Sequence, residues 1–483
     1  IVLALGALVS PVRALDEKIM GEACSLREQG EFEKATTLLR VYLDQTSGTL
    51  PAEERRAVEF EIERIRRIRQ DYRLTRERLL QQLEDRLTTI TTEELDQYER
   101  EGKLDVQVID GRKLYVNSSA SNLVLAVPEL QSRRRRPRAD GTLRKLYNHM
   151  KQVEEARRLN PDRLLLPQDF SVTYTLTVRP NAVEERKTIR AWLPYVRSFP
   201  HQTDAWLVSS EPGNPIVAPA EAPHRTVYLE RQAIKDQPTT FSIHFIYRSW
   251  ARVSHVDPER VEPYRKDAPE YAYYAQERKP HIDFSDEELR KLNAQIVDGE
   301  TNPYRIARRI YDWIARNTIY QYAREYSTIE NLSRYCALRR GGDCGQHTML
   351  FIALCRMNGI PARWTTGWES FEARRNNMHD WCEFYVEPYG WLPVDVDMAV
   401  NALRHAEGEL NTTESLELAN WLFGNMDHFR LTTNADFGAP LFPPKEDFRS
   451  ETVDFQRGEV ESEGRNLYFD QWDWEMEIHP IRP

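Results

Sequence analysis

GGDCGQHTMLFIALCRMNGIPARW (341–364) and, after a short polar gap, HDWCEFYVEPYGWLPVDVD (379–397) decide how this 483-residue chain is read. In the first stretch, Gly341-Gly342-Asp343-Cys344 leads into a helix whose later part, Met349–Met357, is apolar on nearly all sides and therefore buried. Gly359 and Pro361 stop it. The two glycines allow a tight turn and close approach of the backbone to a substrate. A cysteine at a helix N terminus feels the positive end of the dipole, which favours the thiolate, and the first-turn amides point outward where an oxyanion could sit. Thiolate is the form that attacks an amide or ester carbonyl. Cys355, amid Ile352, Ala353 and Leu354 on the same helix, reads as an inert buried thiol.

A thiol nucleophile needs a base, and the base needs a group to orient it. In the second stretch, period-2 alternation puts His379, Trp381 and Glu383 on one face of a strand and Cys382, Phe384 and Val386 on the other. The apolar set faces the core, which leaves His379 on the non-core face. In Trp391–Asp397 the same alternation sets Asp395 and Asp397 apart from Leu392, Val394 and Val396. A hairpin centred on Glu387 would place Asp395 opposite His379, and one centred on Tyr389 would place it opposite Glu383. Spacing alone leaves that register open.

Taken together, these residues resemble the core of the transglutaminase-like superfamily: a Gly-x-Cys opening a helix that ends Gly-Ile-Pro-Ala-Arg, then a His-x-Trp-x-Glu strand, then a Gly-Trp-x-x-x-Asp strand. The resemblance implies a papain-like α+β core over residues 285–435, with Cys344 as nucleophile, His379 as base and then acid, and Asp395 as orienter. It also implies an oxyanion side chain upstream of the cysteine, for which Tyr335 and Trp313 are the candidates. Cys382 stands where the pattern has a hydrophobic residue. It could pair with Cys336 in an oxidising compartment, or serve as a small core residue. No calcium-loop pattern or finger-like Cys/His spacing is present in the sequence, so no metal or other cofactor is expected.

The flanking regions differ in character. Residues 168–255 are β-rich: Phe170, Val172, Tyr174, Leu176 and Val178 alternate strictly, as do Phe241, Ile243, Phe245 and Tyr247, which suits an antiparallel sandwich-like domain. Residues 15–90 have helical periodicity, with a long charged helix over 53–87. Gly30–Ala35 resembles the turn of a tetratricopeptide unit, but one copy cannot bury a repeat face, so a helical hairpin is the simpler reading. Residues 91–165 read as a helix, a hairpin turning at Asp110-Gly111 and a basic linker containing Arg133–Arg136. Tyr304–Asn317 is an amphipathic helix, and 255–284 an ordered linker. The segment 436–483 is acidic yet rich in aromatics (Phe455, Tyr468, Phe469, Trp472, Trp474), which argues that it packs against something. The expected organisation is thus multidomain: an N-terminal helical region, an all-β sandwich-like domain, then the α+β core.

Composition removes several classes. Aromatic residues at 10% exclude wholesale disorder, and a net charge of −10 gives no reason to expect nucleic acid as a partner. No run reaches the ~18–20 apolar residues of a membrane helix, so no integral membrane segment is expected in the mature chain. Ile1–Val12 is nearly all apolar, and Val12-Arg13-Ala14 has the small residues of a signal-peptidase site. Residues 1–14 therefore read as the remnant of a signal, implying export to the periplasm or medium. Five cysteines are too few for a disulfide scaffold. The functional expectation is a cysteine enzyme that attacks amide bonds of peptides or proteins through an acyl-enzyme, with hydrolysis favoured over amine cross-linking. The competing class is an inert binding or scaffold protein.

Overall fold

The computed structural model describes residues 11–136, 141–160, 162–371 and 377–482. Most of the expected signal remnant lies outside the described residues, as do residues 137–140 at the end of the basic linker and 372–376 in the polar gap before His379. The chain divides into two compact units: one is formed by the residues up to Arg136 with Tyr322–Thr328, the other by Pro137–Gln321 and Ile329 onward.

In the first unit, helices Pro11–Glu28, Phe32–Gln45 and Ala52–Asp71 share a core containing Phe32, Leu39, Val58 and Ile65. The expected long helix over 53–87 is broken. Tyr72–Leu74 forms a strand, and a second helix, Arg76–Arg86, follows with Thr75 as its cap. The break is tertiary in origin: Tyr72 pairs with Val116 and donates from its hydroxyl to Asp105, completing a three-stranded sheet with the hairpin Val106–Ile109 and Arg112–Val116. That hairpin therefore belongs to the helical unit, whereas Thr142–Leu159 folds with the second unit. The basic run is tied back here, Arg133 to Glu94 and the Arg135 amide to the Arg86 carbonyl.

In the second unit, two antiparallel sheets share one core. Leu164–Val178 and Thr239–Arg252 pair along their length, flanked by Gln202–Glu211 and Trp472–Pro480. The facing sheet contains Thr188–Pro194, Thr226–Gln232, Glu459–Ser462, Arg465–Leu467 and the short Ile216–Val217. Phe170, Val172, Leu176, Ile189, Leu193, Val227, Phe245, Val460 and Trp472 meet between them. Residues 436–483 are therefore no appendage: they supply a strand at the edge of the first sheet and two strands of the second.

The third layer is the region singled out by sequence. A four-stranded sheet runs in the order Gly390–Val394, Asn377–Val386, Ala362–Glu369, Arg430–Asn434. Helix Cys344–Met357 packs on it, with Phe351 edge-on to Phe384 at 6.0 Å between ring centroids. The sheet is buried on its other face too. Glu383 there is gripped by Arg363 and by Arg252 from the adjoining β layer. Trp368 joins that layer's core. Gly367 is required where the pairing of Ala362–Glu369 with Arg430–Asn434 shifts register, since a Cβ would stand 1.8 Å from the Leu431 carbonyl oxygen.

Candidate active site

Cys344 is the first residue of its helix. Asp343 caps it, accepting from the Gln346 amide at 3.1 Å, and the Gln346 side chain accepts in return from the Asp343 amide, a reciprocal box that fixes how the chain enters. Gly341–Gly342 lies in a short parallel pairing with Ile319–Tyr320. A Cβ on Gly341 would stand 2.6 Å from Gln321 Oε1, so the glycine lets the Gln321 side chain lie against the backbone there.

The hairpin register falls between the two expected. Cys382 pairs with Val394 and Val386 with Gly390, so the turn centres on Pro388. The strand then ends at Val394, and Asp395 becomes the cap of a helix, Val396–Arg404. Its carboxylate serves two masters. Oδ1 accepts from the Met398 amide at 2.9 Å, and Oδ2 accepts from His379 Nε2 at 2.8 Å and Arg430 Nη1 at 2.7 Å. Arg430 is also bonded to Asp427 through both Nε and Nη2, and lies 3.3 Å from Glu369. All five side chains are buried. His379, on the non-core face by alternation, is therefore buried, with Asp395 and Glu369 at its ring.

Burial works against charge on His379, but Asp395 and Glu369 beside it carry its pKa up to about 10. Burial likewise opposes charge on Asp395, yet His379 and Arg430 hold it well below the usual carboxylate range. Burial pushes Glu369 up to about 7. Ligand atoms of Glu369, His379 and Asp395 lie within 4.8 Å of one another, a metal-like spacing, but the Arg430 guanidinium already supplies the cation there.

The nucleophile's hydrogen bond is to a residue the sequence reading passed over. Cys344 Sγ donates to Asp380 Oδ2 at 3.3 Å, and no hydrogen bond joins it to His379. Consecutive strand residues point to opposite faces. Asp380 shares the helix-facing side with Cys382 and Phe384, whereas His379 faces Arg430. Asp380 is held by Thr366 Oγ1 and by Gln456 Nε2, the latter at 3.0 Å, and burial pushes its pKa up to about 6. Burial, then Asp380, Asp343 and Asp397, push the Cys344 thiol well above an ordinary thiol. This reverses the expectation of a thiolate. At an effective dielectric of ~20, two unit negative charges 3.3 Å apart repel by about 5 kcal/mol, against the ~0.3–1 kcal/mol a helix terminus returns.

The remaining sequence candidates are placed as follows. Trp313 lies under the Arg340 guanidinium at 4.3 Å, and Tyr335 under Arg339 at 5.5 Å. Gln321 is the side chain found against Gly341. Cys336 and Cys382 are both free thiols, as are the other three cysteines. His347, one turn into the nucleophile helix, bonds Asp397 at 2.8 Å. A signal for the missed Asp380 existed: it is an acid within the apolar alternation set.

Residues 290–396 match the family model described as the transglutaminase-like superfamily, and this stretch holds the Cys344 helix, the His379 strand and Asp395. Among individual relatives, the chain is 25% identical over 156 residues to an uncharacterized protein, YebA, of Bacillus subtilis, covering 28% of this chain and 21% of that one. It is 26% identical over 218 residues to an uncharacterized Haemophilus influenzae protein, covering 39% and 56%. The chain thus spans between a fifth and a little over half of the curated relatives it matches. Among solved structures, it is similar to a Cytophaga hutchinsonii protein proposed to be a cysteine protease, at 16% identity and TM-score 0.42, covering 66% of this chain and 93% of that one. It is also similar to the periplasmic domain of TgpA from Pseudomonas aeruginosa, at 12% identity and TM-score 0.25, covering 54% and 94%. Among the described residues, no helix is long and apolar enough to cross a membrane.

Proposed function

We propose that the protein is a cysteine enzyme acting on amide bonds of peptides or proteins outside the cytoplasm, with Cys344 as nucleophile, His379 as its imidazole partner and Asp395 as orienter. The observation that carries this reading is the His379–Asp395 bond of 2.8 Å, made beside Arg430 within a transglutaminase-like core whose cysteine opens a helix. The Asp395 contact fixes which imidazole nitrogen faces the carboxylate and keeps the ring charged. As substrate draws the sulfur off Asp380, the thiol proton passes to that carboxylate, and the thiolate so formed is paired by the His379 imidazolium. The thiolate adds to the carbonyl, and the C–N bond breaks as His379 gives its proton to the leaving amine. The neutral imidazole then takes a proton from water, which attacks the thioester and frees the acid, and Asp380 returns its proton to the departing sulfur. The first-turn amides of the nucleophile helix are the proposed donors for the oxyanion, with Gln321, whose side chain lies beside Gly341, as a further candidate.

Hydrolysis is favoured over transfer to an amine. Water is ~55 M, so an amine prevails only in a dry, oriented channel. Of the tryptophans that could wall such a channel, Trp364, Trp368 and Trp381 are buried in packing instead, Trp368 donating to the Gln456 carbonyl and Trp381 lying under Arg430, while the half-buried Trp391 is covered by Arg363. The test offers glutamine-containing and ordinary peptides, with and without a dansylated amine, to wild type and Cys344→Ala. Cys344-dependent fragment or ammonia release is expected. Amine incorporation exceeding it would replace hydrolysis by cross-linking, and no turnover by folded wild type would favour a binding protein.

A further inference from the structure

Resting on that reading, we infer that Asp380 is a latch on the nucleophile: it keeps Cys344 as the neutral thiol in the free protein, and substrate arms the site by breaking this contact, the thiol proton staying behind on the Asp380 carboxylate. The geometry points to it. The thiol's hydrogen bond goes to Asp380 Oδ2 at 3.3 Å, while His379 is engaged on the opposite face of the strand with Asp395. Asp380 is fixed in that role. Its other oxygen accepts from Thr366 Oγ1 and from Gln456 Nε2 at 3.0 Å, and Gln456 also donates to the Gly367 and His379 carbonyls at 3.1 and 3.0 Å. Gln456 thus clamps the two central strands to the C-terminal segment and aims the carboxylate at sulfur.

The charged groups around this pair have one predominant sign. Asp343 caps the nucleophile helix, Asp397 lies at the start of the neighbouring helix, and Glu451 and Asp454 come from the C-terminal segment. His379 is the cation felt by Asp380 from its own strand. The arginines nearby are committed elsewhere, Arg457 to Glu451 at 2.7 Å and Arg340 over the Trp313 ring. His347 is bonded to Asp397. An ionised carboxylate touching the sulfur, among further acids, favours the form of the thiol that carries no charge. A helix-start cysteine whose thiolate was free would be indiscriminately reactive. The latch confines reactivity to the complex.

The experiment follows alkylation of Cys344 by iodoacetamide from pH 5 to 10, resolved from the other four cysteines by peptide mass spectrometry, in the full chain. Wild-type Cys344 is expected to react more slowly at pH 7 than a model thiol. Asp380→Asn, which keeps the shape and offers an N–H to sulfur, is expected to raise the rate at least tenfold at pH 7 and to move the profile's inflection at least one pH unit lower. An unchanged or slower rate in a variant with wild-type circular dichroism and melting would overturn the latch. Should Asp380→Asn not fold, the 240-nm difference titration of wild type against Cys344→Ala decides. Thiolate appearing only above the ordinary thiol range of about pH 8.5 supports the latch, and thiolate below pH 7 overturns it. Because alkylation is read and not turnover, a protein that cleaves no peptide still tests the inference.

Discussion

Arg430→Met removes the cation from a buried group of three carboxylates. In wild type the guanidinium reaches Asp427 at 2.8 Å, Asp395 at 2.7 Å and Glu369 at 3.3 Å, and it is itself 3% exposed. Methionine fills much of the volume, so the loss is mainly electrostatic. Removing one partner of a buried ion pair costs about 3–5 kcal/mol, because the other charge is left in a medium that cannot solvate it. His379 still compensates Asp395, so Asp427 and Glu369 bear most of the penalty. The penalty also has a sign in pH. Burial already holds Glu369 near 7, above its unfolded value, and loss of Arg430 drives it higher. A carboxyl whose folded pKa lies above its unfolded pKa binds its proton more tightly when folded. Stability from it is present at low pH and lost as pH rises through the folded value. Urea denaturation at pH 8.0 is expected to show the full ~3–5 kcal/mol loss, and at pH 5.5 a loss smaller by at least ~1 kcal/mol. A loss below ~1 kcal/mol at pH 8.0, or one identical at both pH values, would refute the view that Arg430 neutralises this cluster.

Further outcomes follow from the same geometry. His379, held up to about 10 against an unfolded value near 6.5, contributes stability that is complete below pH 6.5 and is lost as pH rises toward 10. Urea denaturation should therefore show a decline between pH 7 and 10 of up to ~1.4 kcal/mol per pH unit that His379→Asn abolishes; a flat wild-type profile would contradict the charged pair. Gln321→Ala should lower kcat about 10²–10³-fold with little change in KM, as expected for a group that meets charge only in the transition state. An unaffected kcat would remove Gln321 from the oxyanion site.

What could be read from the sequence divides along physical lines. The helix opened by Cys344, the strand of His379 and the approach of Asp395 were legible, because each rests on local pattern: an apolar run bounded by Gly and Pro, a period-2 alternation, an acid after Leu-Pro-Val. The pairing register was not, since the turn centres on Pro388 through contacts the alternation cannot rank. Nor was the burial of His379, because alternation distinguishes two faces but says nothing of a second layer covering the other one. The thiol's ionisation was misjudged for a similar reason. The helix dipole is local and visible in sequence, whereas Asp380, Asp343 and Asp397 converge from different elements. The C-terminal aromatics signalled packing, but only the fold places Gln456 on the His379 strand and threads 459–480 into both sheets. Likewise, the charged run over 53–87 reads as one helix until Tyr72 is claimed by its sheet partner.

The central claim, that Cys344 forms the acyl-enzyme, is tested most directly by acid-quenched intact-mass spectrometry of His379→Asn mixed with an activated peptide ester. The ester's leaving group needs no proton from His379 to depart, and without the imidazole the thioester has no base to activate water. A single acyl adduct should accumulate and map to Cys344, and it should be missing from the Cys344→Ala, His379→Asn double variant. No adduct on the folded protein, or an adduct that maps to another cysteine and survives the Cys344→Ala change, would contradict the account.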